Sequence, residues 1–92
     1  MSELDLVRSL NSVGKKVFVD YYAQFSDPDL TTGEVVDLLP REYTLNGRRT
    51  RASQGRKICR EGLGRFALRI IASSDKVDPA AARRARQLLA GD

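Results

Sequence analysis

The sequence predicts an all-α protein, a compact bundle of four to five helices with a helix-turn-helix-like unit around residues 31–61. Three observations predict it. Apolar residues recur at steps of three and four along nearly the whole chain. Residues that cap helices stand at the starts of these periodic segments. The one β-prone run, Val17-Phe18-Val19-Asp20-Tyr21-Tyr22, finds no matching strand elsewhere. Ninety-two residues make one domain over 1–92, enough for a modest core without disulfides or metal.

Ser2 followed by Asp5 resembles a capping box, and Leu6, Leu10, Val13, Val17 and Tyr21 supply a helical stripe backed by Val7, Phe18, Tyr22 and Phe25. This predicts an acidic first helix over 3–25. Asn11, Ser12 and Gly14 are weak helix formers within it, and Ser12 could open a second segment. Phe18, Tyr21, Tyr22 and Phe25 are more aromatics than one helix face usually buries, and the surplus suggests a homodimer interface.

Asp27-Pro28-Asp29 reads as a turn. Thr31 then caps a short helix with Glu34 at the reciprocal position; Val35, Val36, Leu38 and Leu39 form its apolar face, and Pro40 stops it. After Pro40-Arg41-Glu42-Tyr43, either Thr44 or Asn46 can cap the basic segment that follows. On a helical wheel of about 100° per residue, Ala52, Gly55, Ile58, Cys59 and Leu63 cluster on one side. Arg49, Ser53, Arg56, Lys57 and Arg60 form a neighbouring stripe.

Gly62 and Gly64 end or loosen this helix before the apolar stretch Phe66, Ala67, Leu68, Ile70 and Ile71. Residues 47–73 read either as one continuous helix or as two, the second then covering 65–73. Asp78 caps a last helix over 79–90 with Pro79 in its first turn and Val77 able to staple onto Ala82, while Ala81, Ala85, Leu88 and Leu89 face inward. The predicted core is Leu10, Val17, Phe18, Tyr21, Val35, Leu38, Leu39, Ile58, Leu63, Leu68, Ile71 and Leu88.

Charge is distributed unevenly. Between Arg41 and Arg69 stand nine basic residues (Arg41, Arg48, Arg49, Arg51, Arg56, Lys57, Arg60, Arg65 and Arg69) against Glu42 and Glu61. Residues 1–40 run the other way, with seven acids against Arg8, Lys15 and Lys16. The net charge of +4 hides a dipolar chain. Arginine's planar, permanently charged fork suits phosphate oxygens and base edges, so the expected partner is nucleic acid.

Catalytic chemistry finds little support. There is no histidine, and one cysteine allows neither an intramolecular disulfide nor a thiolate metal cluster. Cys59, beside Ile58 on the apolar face, reads as a small buried hydrophobe. The acids Asp20, Asp27, Asp29, Glu34 and Asp37 match no Ca²⁺ loop, and Gly47, Gly55, Gly62 and Gly64 form no phosphate-cradling motif. Tyr43 near Arg48 and Arg51 is better read as a packing residue than as a nucleophile between arginine clamps. No enzyme, metal or cofactor is expected. An acidic amino terminus and short apolar runs point to a cytoplasmic protein with no membrane segment.

The leading expectation is therefore a small basic nucleic-acid-binding protein that takes duplex DNA through Arg48, Arg49, Arg51, Ser53, Arg56, Lys57 and Arg60. In a helix-turn-helix-like unit the second helix enters the major groove. Arg49, Ser53 and Arg56 stand near its amino-terminal half as candidates for base edges, with Lys57 and Arg60 gripping phosphates. Arg83, Arg84 and Arg86 read as solvating residues of the last helix. Duplex DNA is preferred over RNA because Tyr43 and Phe66, the aromatics of the cationic segment, are expected to pack inward. The alternative is a non-enzymatic protein-interaction or adaptor module, whose acidic and basic halves are self-complementary.

Overall fold

A computed structural model describes residues 2–91. Among them it contains seven helices and no strand: α1 (Glu3–Val13), α2 (Lys15–Asp20), α3 (Tyr22–Ser26), α4 (Thr32–Leu38), α5 (Leu45–Arg60), α6 (Gly64–Ala72) and α7 (Pro79–Gly91). The excess over four to five helices arises in the first 26 residues. The expected helix over 3–25 is three helices, broken at Gly14 and at Tyr21. Gly14 adopts φ 91° and donates its N–H to Leu10 O at 2.9 Å, a left-handed conformation that costs glycine little and any other residue much. Ser12 caps nothing; its hydroxyl bonds back to Arg8 O at 3.1 Å.

Those breaks wrap the amino-terminal chain around its own aromatics. Phe18 and Phe25 are fully buried with ring centroids 5.8 Å apart, and Tyr22 meets Phe18 edge-on at 5.6 Å. Tyr21 and Tyr22 are half-buried against the same cluster. A straight helix could not have covered all four. The kinked one buries Phe18 and Phe25 and leaves Tyr21 and Tyr22 half-buried against them, so most of the aromatic surplus packs within the chain.

The capping box of α4 is reciprocal: Thr31 Oγ1 accepts from the Glu34 N–H at 3.1 Å, and Glu34 Oε1 from the Thr31 N–H at 3.0 Å. Seven residues on, the helix yields to Leu39 and Pro40. It packs chiefly on α5, and one side suffices to bury Val35, Val36 and Leu39. Leu38, expected in the core, is turned from that side and is 50% exposed.

Thr44, rather than Asn46, caps α5, accepting from the Gly47 N–H at 3.0 Å. The helix packs against α1, α3, α4 and α6 and buries Arg48, Ala52, Gly55 and Ile58. At Gly55 a Cβ would stand 2.8 Å from the Phe25 ring, so glycine lets that ring lie directly on the helix backbone. The question of one or two helices over 47–73 resolves to two. Gly62 at φ 75° donates to Cys59 O at 3.1 Å and Leu63 to Ile58 O at 3.0 Å, the paired bonds of a Schellman stop.

α6 and α7 pair closely, and Asp78 Oδ1 accepts the Ala80 N–H at 2.9 Å at the start of α7. Of the predicted core, Leu10, Val17, Phe18, Val35, Leu39, Ile58, Leu68 and Ile71 are buried, while Tyr21, Leu63 and Leu88 are half-buried against it. Among the described residues no helix is long and apolar enough to cross a membrane.

Candidate nucleic-acid interface

The seven expected contact residues all lie on α5, but the structure divides them. Arg48 runs into the protein and is only 9% exposed, with Nε and Nη1 buried and without a hydrogen-bond partner among the described residues. Arg51 is half-buried; its guanidinium carbon stands 4.0 Å above the Tyr43 ring centroid, and Nη1 donates to Val13 O. Arg56, also half-buried, donates from Nη1 to Asp27 O at 3.3 Å. Arg48 thus lies inside the fold, and Arg51 and Arg56 are half-buried with a donor each committed to a backbone carbonyl, so these three stand apart from the exposed row. The physical reason is the rotation of α5 about its axis, which the packing of α1, α3 and α4 on three sides decides.

Arg49, Ser53, Lys57 and Arg60 remain exposed. Their spacing of four, four and three residues puts them on one stripe running about 16 Å along the helix. No carboxylate lies within ion-pair distance of these cations among the described residues, where Lys16 with Asp20 is the ion pair formed, at 2.7 Å. Asn46, one turn before Arg49 and also exposed, belongs to the same stripe. Its amide carries no charge and the residue also suits a helix cap, so the sequence alone does not mark it as part of the stripe.

Grooves flank the stripe on both sides. One, of about 580 Å³, lies between α4 and the start of α5; Glu34, Asp37 and the 46% exposed Leu45 line it beside Arg49. The other, of about 390 Å³, separates α1 from α5, where Asp5 and Arg8 face Lys57 and Glu61. Carboxylates thus edge the cationic row without pairing to it.

Cys59 sits off this stripe, half-buried, its thiol pushed up to about 11 by burial against a smaller opposing influence of Arg56. Burial thus favours the protonated thiol, as suits a packing residue. Among the described residues no His, Cys, Asp or Glu cluster could hold a metal ion. On α6 the expectation that Phe66 packs inward fails: the ring is 52% exposed, with the Arg69 guanidinium 5.8 Å from its centroid. Arg83, Arg84 and Arg86 are exposed on α7. No protein family, curated protein sequence or solved structure matches this chain.

Proposed function

We propose that this protein binds duplex DNA through the exposed stripe Arg49, Ser53, Lys57 and Arg60, with α4 and α5 acting as a helix-turn-helix-like unit. The observation that carries the reading is the cationic row on one face of α5, which no carboxylate pairs among the described residues. A 16-residue helix preceded by a short capped helix and a six-residue connection over 39–44 suits insertion into a groove. Arg49, in the amino-terminal half of α5, and Ser53, at its middle, are assigned to base edges; Lys57 and Arg60 are assigned to phosphates. Asn46 joins the base-reading group, since its amide can pair bidentately with adenine.

The test is binding of a labelled duplex oligonucleotide across a range of salt concentrations. Lys57→Ala and Arg60→Ala should each weaken binding to all sequences and reduce the slope of log K against log salt by about 0.9 per lost phosphate contact. Arg49→Ala should cost roughly 1–3 kcal/mol and relax preference at one position. The triple variant should lose binding with its helical spectrum intact, since none of the three residues is buried. Binding equal to the parent's would sink the proposal.

One observation favours a second reading, a protein-interaction module. Glu34, Asp37, Asp5 and Glu61 edge the stripe, and carboxylates at that position repel phosphates while tolerating a partner of mixed charge. Self-association without retention on DNA would favour it.

A further inference from the structure

We propose that Phe66 and Arg69 on α6 form a second site, a stacking platform for an unpaired base of single-stranded nucleic acid. Three large apolar side chains stand exposed among the described residues, Leu38, Leu45 and Phe66, and only Phe66 is aromatic. Ala67, Leu68 and Ile71 of the same helix are buried, so Phe66 lies on the face of α6 turned from the core.

The electrostatic setting selects the partner. From Gly62 to Ser74 the chain contains no acidic residue, and Arg69 one turn on places its guanidinium carbon 5.8 Å from the Phe66 ring centroid. Arg69 is exposed and makes no ion pair among the described residues. An exposed ring beside an arginine that no carboxylate pairs among the described residues is the combination that single-strand readers use: the base stacks on the π-face, and the cation meets the adjoining phosphate or stacks on the next base. An apolar protein partner would gain from the ring but would leave the Arg69 charge unmatched. Arg65 adds positive potential on the same helix, although its Nη2 is committed to Leu89 O at 3.1 Å.

The site lies on a different helix from the α5 stripe and can fail without it. Phe66→Trp supplies the test, because the chain has no tryptophan and the new indole would be its sole such fluorophore. Titration with a single-stranded homopyrimidine oligonucleotide should quench that indole, and the matching duplex should not. Phe66→Leu keeps an apolar side chain without a π-face. It should lower single-strand affinity roughly 5- to 150-fold, the worth of one base stack, and leave duplex binding by α5 unchanged. Because Phe66 is half in solvent, its variants should keep the parent's helical spectrum and melting curve. Single-strand binding as tight in Phe66→Leu as in the parent, or an unquenched indole, would overturn the platform while leaving the α5 proposal standing. Loss of duplex binding in the α5 triple variant, with quenching preserved, would separate the two sites.

Discussion

Replacing Gly55 by alanine tests the packing that orients the whole α5 stripe. Helix propensity alone predicts stabilisation by about 1 kcal/mol, since glycine is the weaker helix former. Packing predicts the opposite. A Cβ at this position would stand 2.8 Å from Phe25 Cδ1 and 2.9 Å from both Cε1 and Cγ. Ordinary carbon contacts begin near 3.5 Å, so the ring would have to retreat by about 0.7 Å. It cannot do so freely, being 2% exposed and stacked on Phe18. Overpacking of this kind costs about 1–3 kcal/mol, plus a further share for three simultaneous contacts; against the propensity gain a net loss of about 1–2 kcal/mol remains. For a domain of this size the melting temperature should fall by about 5–15 °C. Gly33→Ala is the control: in the first turn of α4 its Cβ would meet only Thr31 Oγ1, at 3.9 Å, and stability should rise by about 0.4–1 kcal/mol. Thermal denaturation of both variants settles the matter, and a Gly55→Ala protein as stable as the parent would refute the docking of α3 on α5.

Two further outcomes follow from buried groups on the same helix. Arg48→Met should raise the urea midpoint, with a gain of about 1 kcal/mol or more, because it keeps the stem's length and removes a buried cation whose Nε and Nη1 lack partners; a lower midpoint would mean that the guanidinium is solvated. Cys59, with its thiol pushed up from 9.0 to about 11, should be alkylated at pH 8 about 100-fold more slowly in the folded protein than after unfolding. The same shift makes the folded state hold its proton longer than the unfolded one, so Cys59 should lower stability as pH rises from about 9 to 11, and Cys59→Ala should remove that component.

What was legible in the sequence is what short-range chemistry decides. The box of Thr31 and Glu34, the cap at Thr44 or Asn46, the stop at Pro40 and the cap at Asp78 each depend on partners within a few residues. The break at Gly14 was half-visible: glycine marks a weak point, but whether the chain turns there depends on whether Phe18 and Phe25 find a common centre. The rotation of α5 was not legible at all. Arg48 and Arg49 are adjacent and chemically identical, yet one is buried and the other exposed, because α1, α3 and α4 close around three sides of the helix. Phe66 misled for the converse reason, since its hydrophobicity says nothing about whether a neighbouring helix reaches it.

Four arginines, two of them the half-buried Arg51 and Arg56 of α5, share a pattern: each donates to a carbonyl at the end of a helix. Arg51 donates to Val13 O, on the last residue of α1, and Arg56 to Asp27 O, on the C-cap of α3. Arg86 reaches Ala72 O at 3.3 Å, on the last residue of α6, and Arg65 reaches Leu89 O in the last turn of α7. Four helices thus end on a guanidinium brought from elsewhere in the chain. Such ends leave carbonyls without intrahelical partners and carry the negative pole of the helix dipole, and α1, α3 and α7 have no basic residue in their own last turn. Arginine serves this role better than lysine because its long planar fork can stack on or pass beside apolar groups while still offering donors at its tip. With seven helices among the described residues such ends are numerous relative to length, so part of the cationic excess is taken up inside the fold. The charge available to a polyanion is the remainder, and on α5 that remainder is Arg49, Lys57 and Arg60.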